Sequence, residues 1–377
     1  MAELHGRIVE LIGQGRHTLS AQEGHVLCTA ATGELIHQIT TQLRFLDVTF
    51  ARQWFVAVNT CHHLSIHDRI SGILDVLKSR PLNVVDIFVE TPDTDELKRL
   101  SPLCRSIGPR LRSALESSGR MDRTARVRAN VCFISTDQAY IGYSSIDNSS
   151  PWPMGIPRLK LPASAPSRAT LKLEEAWLLL IQEDISKVLR SGMHAVDLGA
   201  APGGWTLALS RRGIYVTAVD NGVLSPSLRA SDLVEHIRFD GFRYRPHQPV
   251  AWLVCDMVAQ PIRIAQLIIE WAKEGLCQYA LFNLKLPMKK RLDEVTRCLQ
   301  KIRDQLTEHN IRFEITCKQL YHDRDEVTCF LKLFKKINKS KRPGALIESM
   351  RPNRRNANPR RKRPTANRRE NSKSRTQ

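Results

Sequence analysis

The chain has 377 residues, too many for one small domain and enough for two globular domains with a linker, at about 150 residues each. Its 57 lysines and arginines against 38 acids give a net charge of +19, which points to a polyanionic partner. Nine cysteines without a C-x-x-C pair argue against a disulfide framework or a thiolate metal site. No apolar run approaches the roughly 20 residues that cross a bilayer, and the opening MAELHGRIVELIGQG has no signal-peptide core, so the expectation is a soluble cytoplasmic protein that binds neither membrane nor metal.

Residues 1–150 alternate short apolar segments with helical ones: HVLCTA, GELIHQITTQL, FVAV, SGILDVLKS, NVVDIFVETP, TDELKRLSPLCRSIGPRLRSALESSG and RVRANVCFISTDQAYIGYS. This alternation predicts an α+β unit of its own. Five prolines follow within residues 151–170 and predict a linker, although Trp152, Met154 and Ile156 suggest that it packs on a surface.

From residue 171 to 336 the texture becomes regular α/β. One helix is expected over LKLEEAWLLLIQEDISKVLR, and strands over HAVDLG, YVTAVD, IRFD, AWLVCDM and YALFNLK. Helices are expected over WTLALSRR, PIRIAQLIIEWAKEG and RLDEVTRCLQKIRDQLTEH, with an antiparallel pair FEITCKQLY and EVTCFLKLF at the end. The pattern is that of a doubly wound sheet with an antiparallel edge. Residues 337–377 are rich in Arg, Asn and Pro, lack periodicity and are expected to be disordered. From Lys335 onward, 16 lysines and arginines face 2 acids, so most of the chain's excess charge lies there.

The stretch AVDLGAAPGGWTLAL reads as a buried strand, a turn of small residues and a helix start. Gly203 and Gly204 let backbone N–H groups approach a ligand closely. A nucleoside triphosphate is excluded, because the turn lacks the lysine of a phosphate-binding loop. A dinucleotide is disfavoured by the order Gly199, Gly203, Gly204 with Pro202 inserted, and S-adenosylmethionine remains the third option. Asp220 and Asp240, read at the ends of the second and third strands, are placed to meet ribose hydroxyls and an adenine amine.

With the segments SRATLKLEEA, VDLGAAPGGWT, AVDNG, FDGF, CDM, FNLKLPMKKR and YHDRDEVT, the chain resembles the ribosomal RNA large subunit methyltransferase M family. FARQWFV and GYSSIDNSSPWPMGIPRLK extend the likeness into the front half, so that it spans about residues 45–335. The resemblance implies an N-terminal THUMP RNA-binding domain joined to a Rossmann-like methyltransferase domain. It further implies S-adenosylmethionine as cofactor and the 2′-hydroxyl of a cytidine in 23S rRNA as methyl acceptor. The Lys-Asp-Lys-Glu tetrad of RNA 2′-O-methyltransferases then falls on Lys172, Asp256, Lys285 and Glu326.

The cofactor contacts fall on Ala169, Ala201, Pro202, Gly203, Gly204, Asp220, Asp240 and Asp256. Ala169 stands where a serine is expected in relatives, so a cofactor contact there is made by the backbone or is absent, and the first 45 residues match poorly.

A 2′-hydroxyl is a weak acid, so its attack on a methyl group needs a base. Lys285, beside Asn283 and before the turn at Pro287, is assigned that role. Lys172 is expected to lower its pKa, and Asp256 and Glu326 to orient both lysines. Lys289, Lys290, Arg291 and Arg324 are expected to meet rRNA phosphates. Exocyclic-amine chemistry is disfavoured, because CDMVAQP lacks the Asn/Asp-Pro-Pro-aromatic turn. Pyrimidine C5 chemistry is disfavoured because Cys255 alternates away from Asp256. His194, His236, His247, His309 and His322 show no ligand spacing and read as surface or strand-end residues. A catalytically silent RNA-binding protein, or a methyltransferase acting at a different RNA site, is the alternative; a silent protein would lack a tetrad residue, and none is missing.

Overall fold

Three sheets organise the computed structural model of the protein, which describes residues 1–22 and 24–334. The basic segment 337–377, with the disorder expected of it, lies outside the described residues.

The first sheet is a hairpin. Helix α1 (Ala2–Ile12) leads into strands β1 (His17–Gln22) and β2 (His25–Ala30), and α2 (Gly33–Gln42) follows, started by Thr32, whose hydroxyl accepts from Leu35 N. The helices bury Ile8, Ile12 and Ile39 with Leu43 and Val48, and Ala51 and Trp54 pack against this small core.

The second sheet holds β3 (Val56–Cys61), β4 (Asp86–Glu90), β5 (Val127–Phe133) and β6 (Ala139–Ser145), in the order β3-β6-β5-β4, with β4 and β5 parallel. Helices α3 (Arg69–Lys78) and α4 (Ser101–Ser117) lay Ile73, Leu77, Ile107 and Leu111 over Ala129, Val131 and Ile141. The proline-rich stretch then runs along this sheet, with one tight turn at Pro153–Gly155. Its Trp152 and Ser150 carbonyls accept from Gln53 Nε2 and Arg128 Nη1, at 3.3 and 3.0 Å.

The third sheet begins after α5 (Ala169–Leu180) and α6 (Ile185–Val188). Its first half contains β7 (His194–Leu198), α7 (Gly204–Ser210), β8 (Tyr215–Val219), α8 (Pro226–Arg229) and β9 (Val234–Ile237). The second half contains β10 (Val250–Cys255), α9 (Pro261–Glu274), β11 (Cys277–Lys285), α10 (Arg291–Glu308), β12 (Phe313–Lys318) and β13 (Glu326–Leu333).

The strand order is β12-β13-β11-β10-β7-β8-β9, with β9, β8, β7, β10 and β11 parallel and β13 antiparallel between β11 and β12. Helices α9 and α10 pack on one face through Ile268, Trp271, Leu299 and Ile302; α5 and α7 pack on the other through Leu173, Trp177 and Trp205. Covered on both faces, the central strands are mostly apolar, with buried Asp197 and Asn283 toward their carboxyl ends. The chain is thus a Rossmann-like α/β sheet with an N-terminal α+β part. Strand order reverses between β7 and β10, and open sheets of this kind bind ligands at the carboxyl ends beside that reversal.

Three expectations need correction. The helix expected over residues 171–190 is two helices, because the Asp184 carboxylate accepts from Ser186 N at 3.0 Å and starts a new one. The third strand is not IRFD. Pairing with β8 ends at Val219↔Ile237, so Asp240 sits three residues beyond the strand, exposed, with its carboxylate accepting from Phe242 N at 2.9 Å. His322 is not at the surface: its side chain is only 9% exposed.

The residues following α2 join the large sheet at its β12 edge. Lys318 is fully buried, and its ammonium donates to the carbonyls of Phe45, Val48 and Ala51 at 3.1, 2.6 and 2.5 Å. Gln319 N adds a bond to Thr49 O at 2.9 Å. Burial pulls the Lys318 pKa down to about 7, against the opposing attraction of Glu3.

Candidate active site

At the carboxyl end of β7 the chain turns through Gly199, Ala200, Ala201, Pro202 and Gly203 into α7. Gly203, at φ 115°, caps that helix, and a Cβ there would lie 2.1 Å from Leu228 Cδ1, so only glycine fits. A Cβ on Gly204 would lie 2.4 Å from Ser167 Oγ and 3.0 Å from Ala169 Cβ, which places the start of α5 directly against the turn. Asp220, just after β8, holds the turn in shape. Its carboxylate accepts from Ala201 N at 3.0 Å and Gly222 N at 2.7 Å.

Two buried polar atoms beside this turn have no hydrogen-bond partner among the described residues: Ser167 Oγ and Asp197 Oδ1. Asp197 ends β7 fully buried, with its other oxygen taking the Thr206 hydroxyl at 2.6 Å. Burial, joined by repulsion from Asp256 and Asp220, pushes its pKa up to about 7. A ligand bringing both a donor and an acceptor would satisfy the pair, since a buried polar atom without a partner costs about 1–3 kcal/mol.

Beside the turn lie four charged side chains from four elements. Lys172 comes from the first turn of α5, Asp256 directly follows β10, Lys285 ends β11 and Glu326 begins β13. Lys285 and Glu326 face each other in the β11–β13 register, as do Asn283 and Thr328 two residues deeper. Because side chains on a strand alternate, both pairs occupy one face.

Lys172 Nζ lies 2.9 Å from Asp256 Oδ2 and 2.7 Å from Glu326 Oε1. Lys285 Nζ donates to Asp256 Oδ1 at 2.9 Å and to Glu326 Oε2. Each carboxylate therefore spans both lysines. The side chain of Lys285 is 29% exposed and that of Lys172 only 9%, so Lys285 is the more accessible of the two lysines.

Burial disfavours the charge of Lys285, but Asp256 and Glu326 outweigh it and hold the pKa above the ordinary lysine value; Lys172 is raised by the same balance. The lowering expected from a neighbouring lysine is therefore overturned in the free protein, because two carboxylates stand closer to each ammonium than the other lysine's charge can offset. Asp256 lies below the usual carboxylate value. Burial alone would raise it, and the two lysines reverse that. Glu326, more deeply enclosed, is pushed up by burial and by Asp256.

Further side chains accompany the four charged ones. Asn283 Nδ2 bridges Asp256 Oδ1 and Glu326 Oε1 at 2.9 and 2.7 Å, and its Oδ1 accepts the Thr328 hydroxyl at 2.7 Å. Asp323 Oδ2 stands 3.4 Å from Lys172. Glu175, buried one turn after Lys172, accepts from Tyr321 N, His322 N and His322 Nδ1, and so ties α5 to the loop that leads into Glu326. Spacing held the signals: Glu175 is three residues from Lys172 on one helix, and Asn283 is two from Lys285 on one strand.

The four residues assigned to RNA divide. Lys289 and Lys290 are exposed and make no side-chain hydrogen bond or ion pair among the described residues. Arg291 donates to Pro287 O, Arg324 O and Asp325 Oδ1 at 3.2, 2.9 and 3.0 Å, and Arg324 pairs with the buried Asp93. Both guanidiniums are committed to holding loops.

Comparison with known families agrees with this layout. Residues 68–145 match the family described as ribosomal RNA large subunit methyltransferase M, N-terminal, and residues 165–324 match the FtsJ-like methyltransferase family. The ribosomal RNA large subunit methyltransferase M of Methylococcus capsulatus is 47% identical over 310 residues, covering 82% of this chain and 87% of that protein. Its counterpart in Shewanella woodyi is 43% identical over 338 residues, covering 88% and 94%. In Stutzerimonas stutzeri the protein of that name is 45% identical over 330 residues, covering 87% and 93%. With a glycine turn at the strand reversal, a lysine-carboxylate cluster beside it and relatives matched along nearly their whole length, the chain belongs to the ribosomal RNA large subunit methyltransferase M family.

Proposed function

We propose that this protein methylates large-subunit ribosomal RNA, transferring the methyl group of S-adenosylmethionine to the 2′-hydroxyl of a cytidine in 23S rRNA. The observation that carries the reading is the partly exposed Lys285 amine, held at the carboxyl edge of the sheet by Asp256 and Glu326, with Asp256 N donating to Leu198 O at the end of β7 where the glycine turn begins. In this reading residues 1–150 contain the THUMP-like RNA-binding part, 151–170 the connection and 171–336 the catalytic part, and the protein works in the cytoplasm.

The glycine turn and its surroundings fit the cofactor. Ala201, Pro202, Gly203 and Gly204 present backbone without bulk, Ala169 closes the wall, and Asp220, Asp240 and Asp256 supply acceptors around it. Ser167 Oγ and Asp197 Oδ1 offer the unmatched polar atoms that an amino-acid moiety would satisfy. When bound, S-adenosylmethionine supplies an electrophilic methyl group on a positively charged sulfur.

Lys285, once neutral, takes the proton of the 2′-hydroxyl as the oxygen attacks. Lys172 and the two carboxylates fix the amine in place, and orientation of this kind supplies much of the rate of a two-substrate transfer. Lys289 and Lys290 meet rRNA phosphates, with Arg291 and Arg324 behind them. A second role for Lys285 is favoured by its raised pKa: as an ammonium it would orient the hydroxyl by donating a hydrogen bond rather than accept its proton.

Replacing Lys285 by Ala tests the assignment. Transfer to rRNA should be lost while calorimetric binding of S-adenosylmethionine stays near normal, and Lys285→Arg should not restore it, because a guanidinium keeps its proton. Retention of more than about a tenth of the rate would remove Lys285 as the base, since less than about 1.4 kcal/mol would be at stake. Mapping 2′-O-methyl groups in 23S rRNA from cells with and without the protein identifies the acceptor.

A further inference from the structure

We propose that Met288 and Val258 form an apolar lip that holds the base of the acceptor nucleotide beside Lys285. The inference rests on the 2′-O-methyltransferase reading given above. Both side chains are 91% exposed, more than any other large apolar side chain among the described residues; Ile66 follows at 63%. Single exposed apolar residues are ordinary on protein surfaces. Here the two most exposed ones both follow tetrad residues, Val258 two positions after Asp256 and Met288 three after Lys285. They leave the sheet from β10 and β11, which are parallel neighbours about 4.8 Å apart.

The turn that presents Met288 is tied down from beneath. Leu286 N donates to Asp325 O at 2.8 Å, and Arg291 holds Pro287 O, Arg324 O and Asp325 Oδ1. The backbone is fixed while the side chain stands in solvent, so Met288 adds almost nothing to the stability of the fold.

Next to it Lys289 and Lys290 are exposed, with no side-chain partner among the described residues. An apolar contact flanked by unpaired cations suits a nucleotide, with the base against the lip and phosphates against the lysines. Two side chains are too small an apolar area for a stable protein interface, which covers about 800 Å² on each partner.

The test uses the full chain with Met288→Ser, Val258→Ser and the double substitution, assayed on a 23S rRNA transcript. The double variant should raise the KM for rRNA about tenfold, leave S-adenosylmethionine affinity within about twofold, and keep the wild-type salt slope, because apolar contacts release no counterions. Met288→Leu should behave as wild type. Unchanged KM in the double variant overturns the proposal, as does a loss of affinity expressed wholly in the salt slope. Conversion of a dimer to a monomer by the same substitutions, without RNA, would overturn it in favour of a second copy on the lip. Product analysis separates the two readings: a wild-type methyl group on an atom other than the 2′-oxygen defeats the acceptor assignment, while the KM comparison still decides the lip.

Discussion

Lys285 and Lys172 share two carboxylates, and that sharing sets the pH behaviour of the site. Asp256 and Glu326 hold the Lys285 amine above its ordinary pKa despite its partial burial, so near neutral pH almost all of it is protonated. A base works only in its neutral form, whose fraction grows tenfold per pH unit below the pKa. Single-turnover methylation should therefore climb with a slope near one in log rate from about pH 7 to 9 without a plateau. A flat profile would favour the ammonium as a fixed hydrogen-bond donor. Asn283 belongs to the same balance, since its one amide serves both carboxylates. Asn283→Leu should cost roughly 2 kcal/mol of stability, read by urea unfolding, because two buried acceptors lose a donor and the Thr328 hydroxyl loses its acceptor.

Among the elements, β12 carries an unusual burden for an edge strand. Its last residue, Lys318, points away from solvent and closes three carbonyls of residues 45–51 with one ammonium. Replacing it by Met should destabilise the protein by roughly 2 kcal/mol, because Ala51 O would lose its donor and Phe45 O and Val48 O would keep only the long 3.3 Å bonds from Val48 N and Ala51 N. The same lysine gives stability a pH dependence. Its folded pKa of about 7 lies below that of the unfolded chain, so the unfolded state binds the extra proton between pH 7 and the ordinary lysine range. Stability should rise across that window in the wild type, and the rise should flatten in Lys318→Met.

Across the whole molecule, charge is concentrated beyond the described residues. The segment from Lys335 to Gln377 has 16 lysines and arginines against 2 acids, out of a chain total of +19. Phosphate contacts add affinity and position but carry no base information. Deleting residues 340–377 should weaken rRNA binding and flatten its salt dependence while the methylated nucleotide stays the same. Mapping the methyl group after the deletion checks this, and a changed nucleotide would give the segment a part in site selection.

How much of this was legible beforehand differs from residue to residue. The β7 turn, the strand run of the α/β part apart from its third strand, and the resemblance that drew Lys172, Asp256, Lys285 and Glu326 together all rest on local patterns: apolar periodicity, small residues between a strand and a helix, and ordered motifs. Such patterns are set within about ten residues, and the sequence by itself determined them. Only the tertiary structure decided the rest. Asn283, Thr328, Asp323 and Glu175 enter the site because β13 runs antiparallel beside β11 and because α5 packs against the loop before Glu326. The division of the cations into exposed Lys289 and Lys290 and committed Arg291 and Arg324 depends on Asp93 and Asp325, the first more than 200 positions away in the chain from Arg324. The direction of the Lys285 shift follows the distances of two carboxylates, and electrostatic energy is a function of separation in space, which spacing along a chain does not contain.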